Sequence, residues 1–437
     1  MAEHGDGPPE RQARSGGRRS EDRSENRSDN RSEDRSEDRS ENTGRPPAGA
    51  DDSLLGLPAI WLRDNCACAE CRDPGSRERL TSITDLSDRV SVAAVHRHGH
   101  QIEIEFAPDR HRSVNDARWL DQFRPAPVPR QRSAPPVRPP QARSGTGAAA
   151  EDGRSEDAKH LWDNAVICGA LPLGSWPLYQ SDPAHRQACL RAVLRDGFVL
   201  LAGMPAEPGA VLAVAETLGV VRETEHGRVA EIRIGASPPS EASTSRPMPA
   251  GTAAPFRDPL LTVKVMGCLT AAARGGESTL VDGFFAAATL RAQDPAAFAV
   301  LTSTAVTFAR ADDQLEMRAT HPVISLDPRG RIREIRFDRS TLAPLRGATS
   351  QIVAFYDAYR SFARLVDDQA LTLTLALRPG HCLILDNTRV LNGRTGFAPG
   401  TAAGRERHLQ ASWADLDGVA SRLAVLERPQ HNGGSRH

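Results

Sequence analysis

The chain has 437 residues, with 55 basic and 56 acidic side chains and a formal charge of −1, so no global field draws it to nucleic acid or an anionic membrane. Hydrophobic content is 39%, low for one compact globule, and no apolar run approaches the roughly 20 residues that cross a bilayer. The N-terminus lacks the apolar core of a secretory signal, which makes a cytoplasmic address the expectation. Lys159 and Lys264 are the only lysines, so the bases are almost all arginine, as in the product of a high-GC genome.

The first segment, residues 1–56, contains "RSEDRSENRSDNRSEDRSEDRSEN" from Arg19 to Asn42. It has nothing apolar to offset the entropy of ordering and is expected to be a disordered tail. A folded unit is predicted over 57–124. There "RVSVAAVHRHGHQIEIEF" alternates as two strands about a turn near Gly99, and "VNDARWLDQF" reads as a short helix with Trp119, Leu120 and Phe123 on one face. Residues 125–157 are proline-rich, then small and polar, and form a linker.

A large domain is predicted over 158–428, followed by a flexible 429–437. "HRQACLRAVLRDGFVLLAG" reads as helix then buried strand, and "EPGAVLAVAETLG" as a helix. Strands are predicted at 260–267, 304–309, 332–337, 371–377, 382–386 and 407–414, with helices near 284–303 and 350–367. Many short strands with helices outside them point to an antiparallel double-layer sheet.

Seven cysteines are too few for a disulfide scaffold, but Cys66, Cys68 and Cys71 fall within six residues. In a reducing compartment three such thiolates point to a structural zinc, which needs a fourth ligand. His96, His98, His100 and His111 are the nearby candidates.

"WLRDNCACAEC", followed by "HRSVNDARWL", resembles the N-terminal domain of the gamma-butyrobetaine hydroxylase and trimethyllysine hydroxylase group. That resemblance selects His111 as the fourth zinc ligand. It continues through "LGVVRETEHGRV", "GGESTLVDGF", "REIRFDRSTLAPL", "FYDAYRSF", "LDNTRVLNGRTGF" and "RHLQASWADLDG". It implies a fold that is mainly β with α: a double-stranded β-helix, the clavaminate synthase-like jelly roll, behind a small zinc-binding α+β domain. It also implies hydroxylation by Fe(II), 2-oxoglutarate and O₂, with iron held by His-x-Asp and a distant histidine.

The resemblance places those three ligand positions on Gly251, Ala253 and Asn392, and the chain's one His-x-Asp, His4-Gly5-Asp6, lies in the N-terminal tail, outside the large domain. Arg407 matches the arginine that holds 2-oxoglutarate, with Arg405 as a second candidate. Ser278 matches a hydroxyl residue beside the same cosubstrate, and Trp413 one aromatic of a trimethylammonium cage. If Arg407 points inward, alternation turns His408 outward; otherwise Arg407 forms an ion pair, with Asp415 as its partner.

The expectation is a catalytically degenerate member of the family, a pseudoenzyme with structural zinc and without iron. It would bind a small molecule or assemble with an active relative, and the resemblance implies a homodimer. The alternative is an active oxidoreductase with rearranged ligands or changed chemistry in the same pocket.

Overall fold

The structure is a computed structural model that describes residues 53–74, 77–125, 159–234, 244–312, 315–398 and 407–428. The expected Arg-Ser-acid tail, nearly all of the linker, the C-terminal end and Arg405 lie outside these residues. Order begins earlier than the 1–56 tail allows, because Ser53–Leu54 pairs with Leu57–Pro58.

Two antiparallel sheets face each other. The larger has the order Leu173–Ser175, Phe198–Ala202, Cys382–Asp386, Val263–Thr270, His408–Ala414, Ala230–Arg233, antiparallel except for its first pair. The smaller has the order Thr372–Leu375, Ser278–Asp282, Val390–Arg394, Met248–Gly251. Alternation decides which residues meet between them. Met266, Cys268, Leu383, Leu385 and Leu409 from one sheet pack with Leu280 and Val390 from the other. The opposite parity, including Val263, Val265 and Ile384, packs outward against helices Pro183–Asp196, Ala210–Leu218 and Leu416–Leu426. This is the jelly roll with helices outside.

The predicted strand 260–267 sits three residues later, at Val263–Thr270. The predicted helix 284–303 is two helices, Gly283–Gln293 and Pro295–Ser303. Pro295 lacks the N–H needed to continue the first helix, and Asp294 caps the second by accepting from Ala297 N–H at 2.9 Å. Asp294→Ala is expected to cost about 1 kcal/mol, read as a lower urea midpoint at an unchanged slope.

The small N-terminal unit has a three-stranded sheet of Ser91–His98, Gln101–Ala107 and Arg112–Asp116, and its last strand overlaps the predicted helix. That helix starts only at Ala117, where Asp116 accepts from the N–H groups of Arg118 and Trp119. Gly99 makes the hairpin turn with a positive φ of 62°.

The unit shares a core with the large domain. Trp61 donates to Leu345 O at 3.1 Å, and the Tyr356 hydroxyl donates to Asp64 at 2.8 Å. Arg79 pairs with Asp64 at 3.1 Å and reaches the carbonyls of Leu342 and Arg339.

The segment "LDNTRVLNGRTGF" is fixed by a buried ion pair. Arg389 holds Asp282 through two bonds, of 3.0 and 2.7 Å, with both side chains fully buried. Asp282 also accepts from Trp162 and Phe284 N–H, and Arg389 donates to the carbonyls of Arg195 and His160. With these groups paired, the strand that carries Asn392 is anchored at its start.

Candidate functional site

Cys66 follows the short helix Ala59–Asp64, and Cys68 and Cys71 share a turn closed by Cys71 N–H on Cys68 O at 3.0 Å. His111 arrives from the bend before Arg112–Asp116. Its Nε2 lies 3.2 Å from Cys66 Sγ, 3.6 Å from Cys68 and 3.5 Å from Cys71. All four ligand atoms lie within 4.8 Å of one another, and no other group of three or more His, Cys, Asp or Glu among the described residues is gathered to hold a metal. His96, His98 and His100 are exposed on or beside the hairpin. The Cys66 thiol is pushed down, first by its hydrogen bond with Cys71. Arg63 donates to Cys71 Sγ at 3.1 Å. Three sulfurs and one imidazole nitrogen at this spacing are the donor set of a closed tetrahedral site.

A second site lies between the sheets, where a cavity of about 450 Å³ is lined by Gly251, Ala253, Asn392, Trp413 and Lys264. The three positions that the resemblance assigns to iron therefore share one cavity wall, and Asn392 is the register partner of Gly251. The loop is firmly held. Thr252 donates to Ile335 O at 2.9 Å, and Asn387 bonds both the N–H and the carbonyl of Ala253.

A Cβ added at Gly251 would lie 2.9 Å from Phe337 O, so the backbone leaves no room for a side chain there. Asn392 Oδ1 accepts from Lys264 Nζ at 3.0 Å, and its amide nitrogen is turned to backbone carbonyls. The residues at these positions do not fit iron: two lack a donor atom, and the third binds an ammonium group.

Lys264 is the residue that sequence reasoning missed. It is 8% exposed and its Nζ lies 5.9 Å from the centre of the Trp413 ring, within reach of a cation–π contact. No carboxylate among the described residues lies within ion-pair distance of it. Burial, then Arg407 and Arg394, push its amine down to about 8. A signal was present, because Lys264 has the parity of Met266 and Cys268 in "LLTVKVMGC" and so faces the interior.

Arg407 is buried on the same sheet but lines a separate cavity of about 270 Å³, beside Cys268, Gly276 and Leu377. Its guanidinium sits 5.5 Å from the Phe397 ring, with Arg394 at 5.1 Å from that ring. The anticipated Asp415 partner is instead paired with Arg222 at 2.8 Å. Burial lowers the Arg407 pKa. His408 turns outward and pairs with Glu231. Ser278 is buried opposite Arg394 and lines neither cavity. Trp413 thus joins the iron positions, whereas Arg407 and Ser278 do not.

The family model described as "Taurine catabolism dioxygenase TauD, TfdA family" matches residues 172–413, and "Gamma-butyrobetaine hydroxylase-like, N-terminal" matches 50–121. The chain belongs to the TauD, TfdA dioxygenase family. The gamma-butyrobetaine dioxygenase of Pseudomonas sp. (strain AK-1) is 31% identical over 379 residues, covering 87% of this chain and 92% of its own. The human enzyme of that name is 25% identical, covering 86% and 92%. The trimethyllysine dioxygenase of Meyerozyma guilliermondii is also 25% identical, covering 84% and 89%. A solved structure of asparagine oxygenase with Fe(II), 3-hydroxyasparagine and succinate is 20% identical, with a TM-score of 0.44 over 55% of this chain and 81% of its own. Membership is therefore in the gamma-butyrobetaine hydroxylase-like branch of the 2-oxoglutarate/Fe(II) dioxygenases. Among the described residues no helix is long and apolar enough to cross a membrane.

Proposed function

We propose that this member of the family is a zinc-stapled binding or assembly protein that does not use iron. The observation that carries this reading is the Lys264–Asn392 hydrogen bond in a cavity whose other two iron positions are Gly251 and Ala253. A fixed ammonium beside Asn392 repels a divalent cation and holds the only side-chain oxygen among the three positions. Cys66, Cys68, Cys71 and His111 hold zinc. The cavity takes a small molecule, and the protein acts in the cytoplasm as a homodimer or beside an active relative. A trimethylammonium substrate, as the names of the relatives suggest, is disfavoured because Lys264 already sits over Trp413.

Metal analysis of the purified chain tests this reading, with about one zinc and no iron per chain expected. Stoichiometric Fe(II) uptake with conversion of 2-oxoglutarate to succinate would sink it.

The inward, buried Arg407 supports a second reading, an oxidoreductase of changed chemistry that retains 2-oxoglutarate. On that reading Arg407→Ala weakens 2-oxoglutarate binding at least tenfold by calorimetry, as loss of a charge-assisted pair does. Equal affinity in variant and parent removes the reading.

A further inference from the structure

We propose that Lys264 is a carbonyl-capturing amine, whose Nζ condenses with the keto group of a small 2-oxo acid in the cavity to form an imine without any metal. This rests on the iron-free reading above and names a ligand class for the same site.

The first support is compositional. Only Lys159 and Lys264 among 55 basic side chains are lysine. Arginine cannot lose its proton in a protein and cannot serve as a nucleophile, whereas a buried lysine can do both. Lys159 is 42% exposed and pairs with Asp386 at 3.6 Å, as a surface amine does. Lys264 is the one lysine in the interior, against the arginine bias of the whole chain.

The second support is geometric. Lys264 Nζ has one hydrogen-bond partner among the described residues, Asn392 Oδ1, and one ring beside it, Trp413. The residue lines a ligand-sized cavity, so the amine is accessible to an occupant. With no carboxylate within ion-pair distance among the described residues, its charge is left for that occupant to neutralise.

The third support is electrostatic. Arg407 and Arg394 both bear on Lys264. Neighbouring cations favour the neutral, nucleophilic amine, and the field of these two guanidiniums, which line adjacent cavities, attracts a carboxylate. A 2-oxo acid offers both partners, a carboxylate for the field and a carbonyl for the amine. The neutral amine adds to the carbonyl carbon, a proton moves from nitrogen to oxygen, and water leaves with formation of the C=N bond. No oxidant or reductant is consumed.

The test is reductive trapping. The full chain is incubated separately with pyruvate and with 2-oxoglutarate in the presence of cyanoborohydride, then examined by intact mass and peptide mapping. The expected result is one adduct per chain at Lys264, formed at least about tenfold faster than any at Lys159. Lys264→Arg, which keeps the charge, and Lys264→Met, which removes it, should both lose that adduct while keeping the parent's circular dichroism. No adduct at Lys264, or labelling no faster than at Lys159, overturns the proposal. Iron content measured on the same batch separates the two readings. Iron-free protein that is not trapped defeats only the imine, whereas iron-loaded protein defeats the reading beneath it.

Discussion

Stripping the metal from Cys66, Cys68, Cys71 and His111 is expected to unfold the N-terminal unit and to lower the melting temperature of the whole chain by more than about 10 °C. Structural zinc sites contribute on the order of 10 kcal/mol of apparent binding energy, and a unit spanning 57–124 is too small to offset that loss from its own core. The damage should spread, because Trp61 and Asp64, on the helix just before Cys66, bond to Leu345 and Tyr356 of the large domain. Glu78, beyond the cysteine turn, lines the central cavity. Chelator treatment should therefore weaken ligand binding in a cavity that contains none of the metal ligands. Cys71→Ser should have a similar effect, without chelator. A chelated chain free of zinc with an unchanged melting curve would remove the structural role.

Lys264→Met is expected to stabilise the folded chain by roughly 3 kcal/mol at pH 7 while abolishing trapping of 2-oxo acids. In the folded state the amine titrates at about 8, against 10.5 for the free side chain, with burial as the main cause and Arg407 and Arg394 adding to it. Below about 8 both states carry the proton, and the folded state bears the full penalty of a buried charge. Between about 8 and 10.5 the unfolded state binds more protons than the folded state, so this group makes stability rise with pH. Asn392 and Trp413, its nearest partners, are neutral throughout. The parent should gain stability relative to Lys264→Met across that window, and the two should converge near its upper end. Urea midpoints of both proteins at pH 7 and pH 10 measure this. A variant less stable than its parent at pH 7 would show that the ammonium is structurally required.

Much of the fold was legible because its signals are local. Three cysteines in six residues and "WLRDNC" mark the metal unit, and apolar runs such as "CLILD" mark central strands. The smaller sheet was the hard part. Only its edge strand, Thr372–Leu375, was read from pattern, whereas Met248–Gly251, Ser278–Asp282 and Val390–Arg394 were not. "MPAG", "STLVD" and "VLNGR" have no clean alternation, and their pairing depends on partners more than a hundred residues away. The site divided in the same way. Gly251, Ala253 and Asn392 follow from the resemblance residue by residue. The meeting of Lys264 with Asn392 needs the two sheets face to face, and the placement of Arg407 in a separate cavity needs side-chain volumes that spacing does not encode.

Gly251 bears on reversibility. Its missing side chain lets the carbonyl of Phe337 approach to where a Cβ would clash, with Asp338 close behind. A histidine reintroduced there would have to displace backbone before it could reach a metal. It would also meet the Lys264 ammonium already bonded to Asn392. On the iron-free reading, building an iron centre here would take four coordinated replacements, at 251, 253, 264 and 392, and the one at 251 alone would strain the chain with nothing gained. On the iron-free reading proposed above, no single replacement builds a metal centre in this cavity.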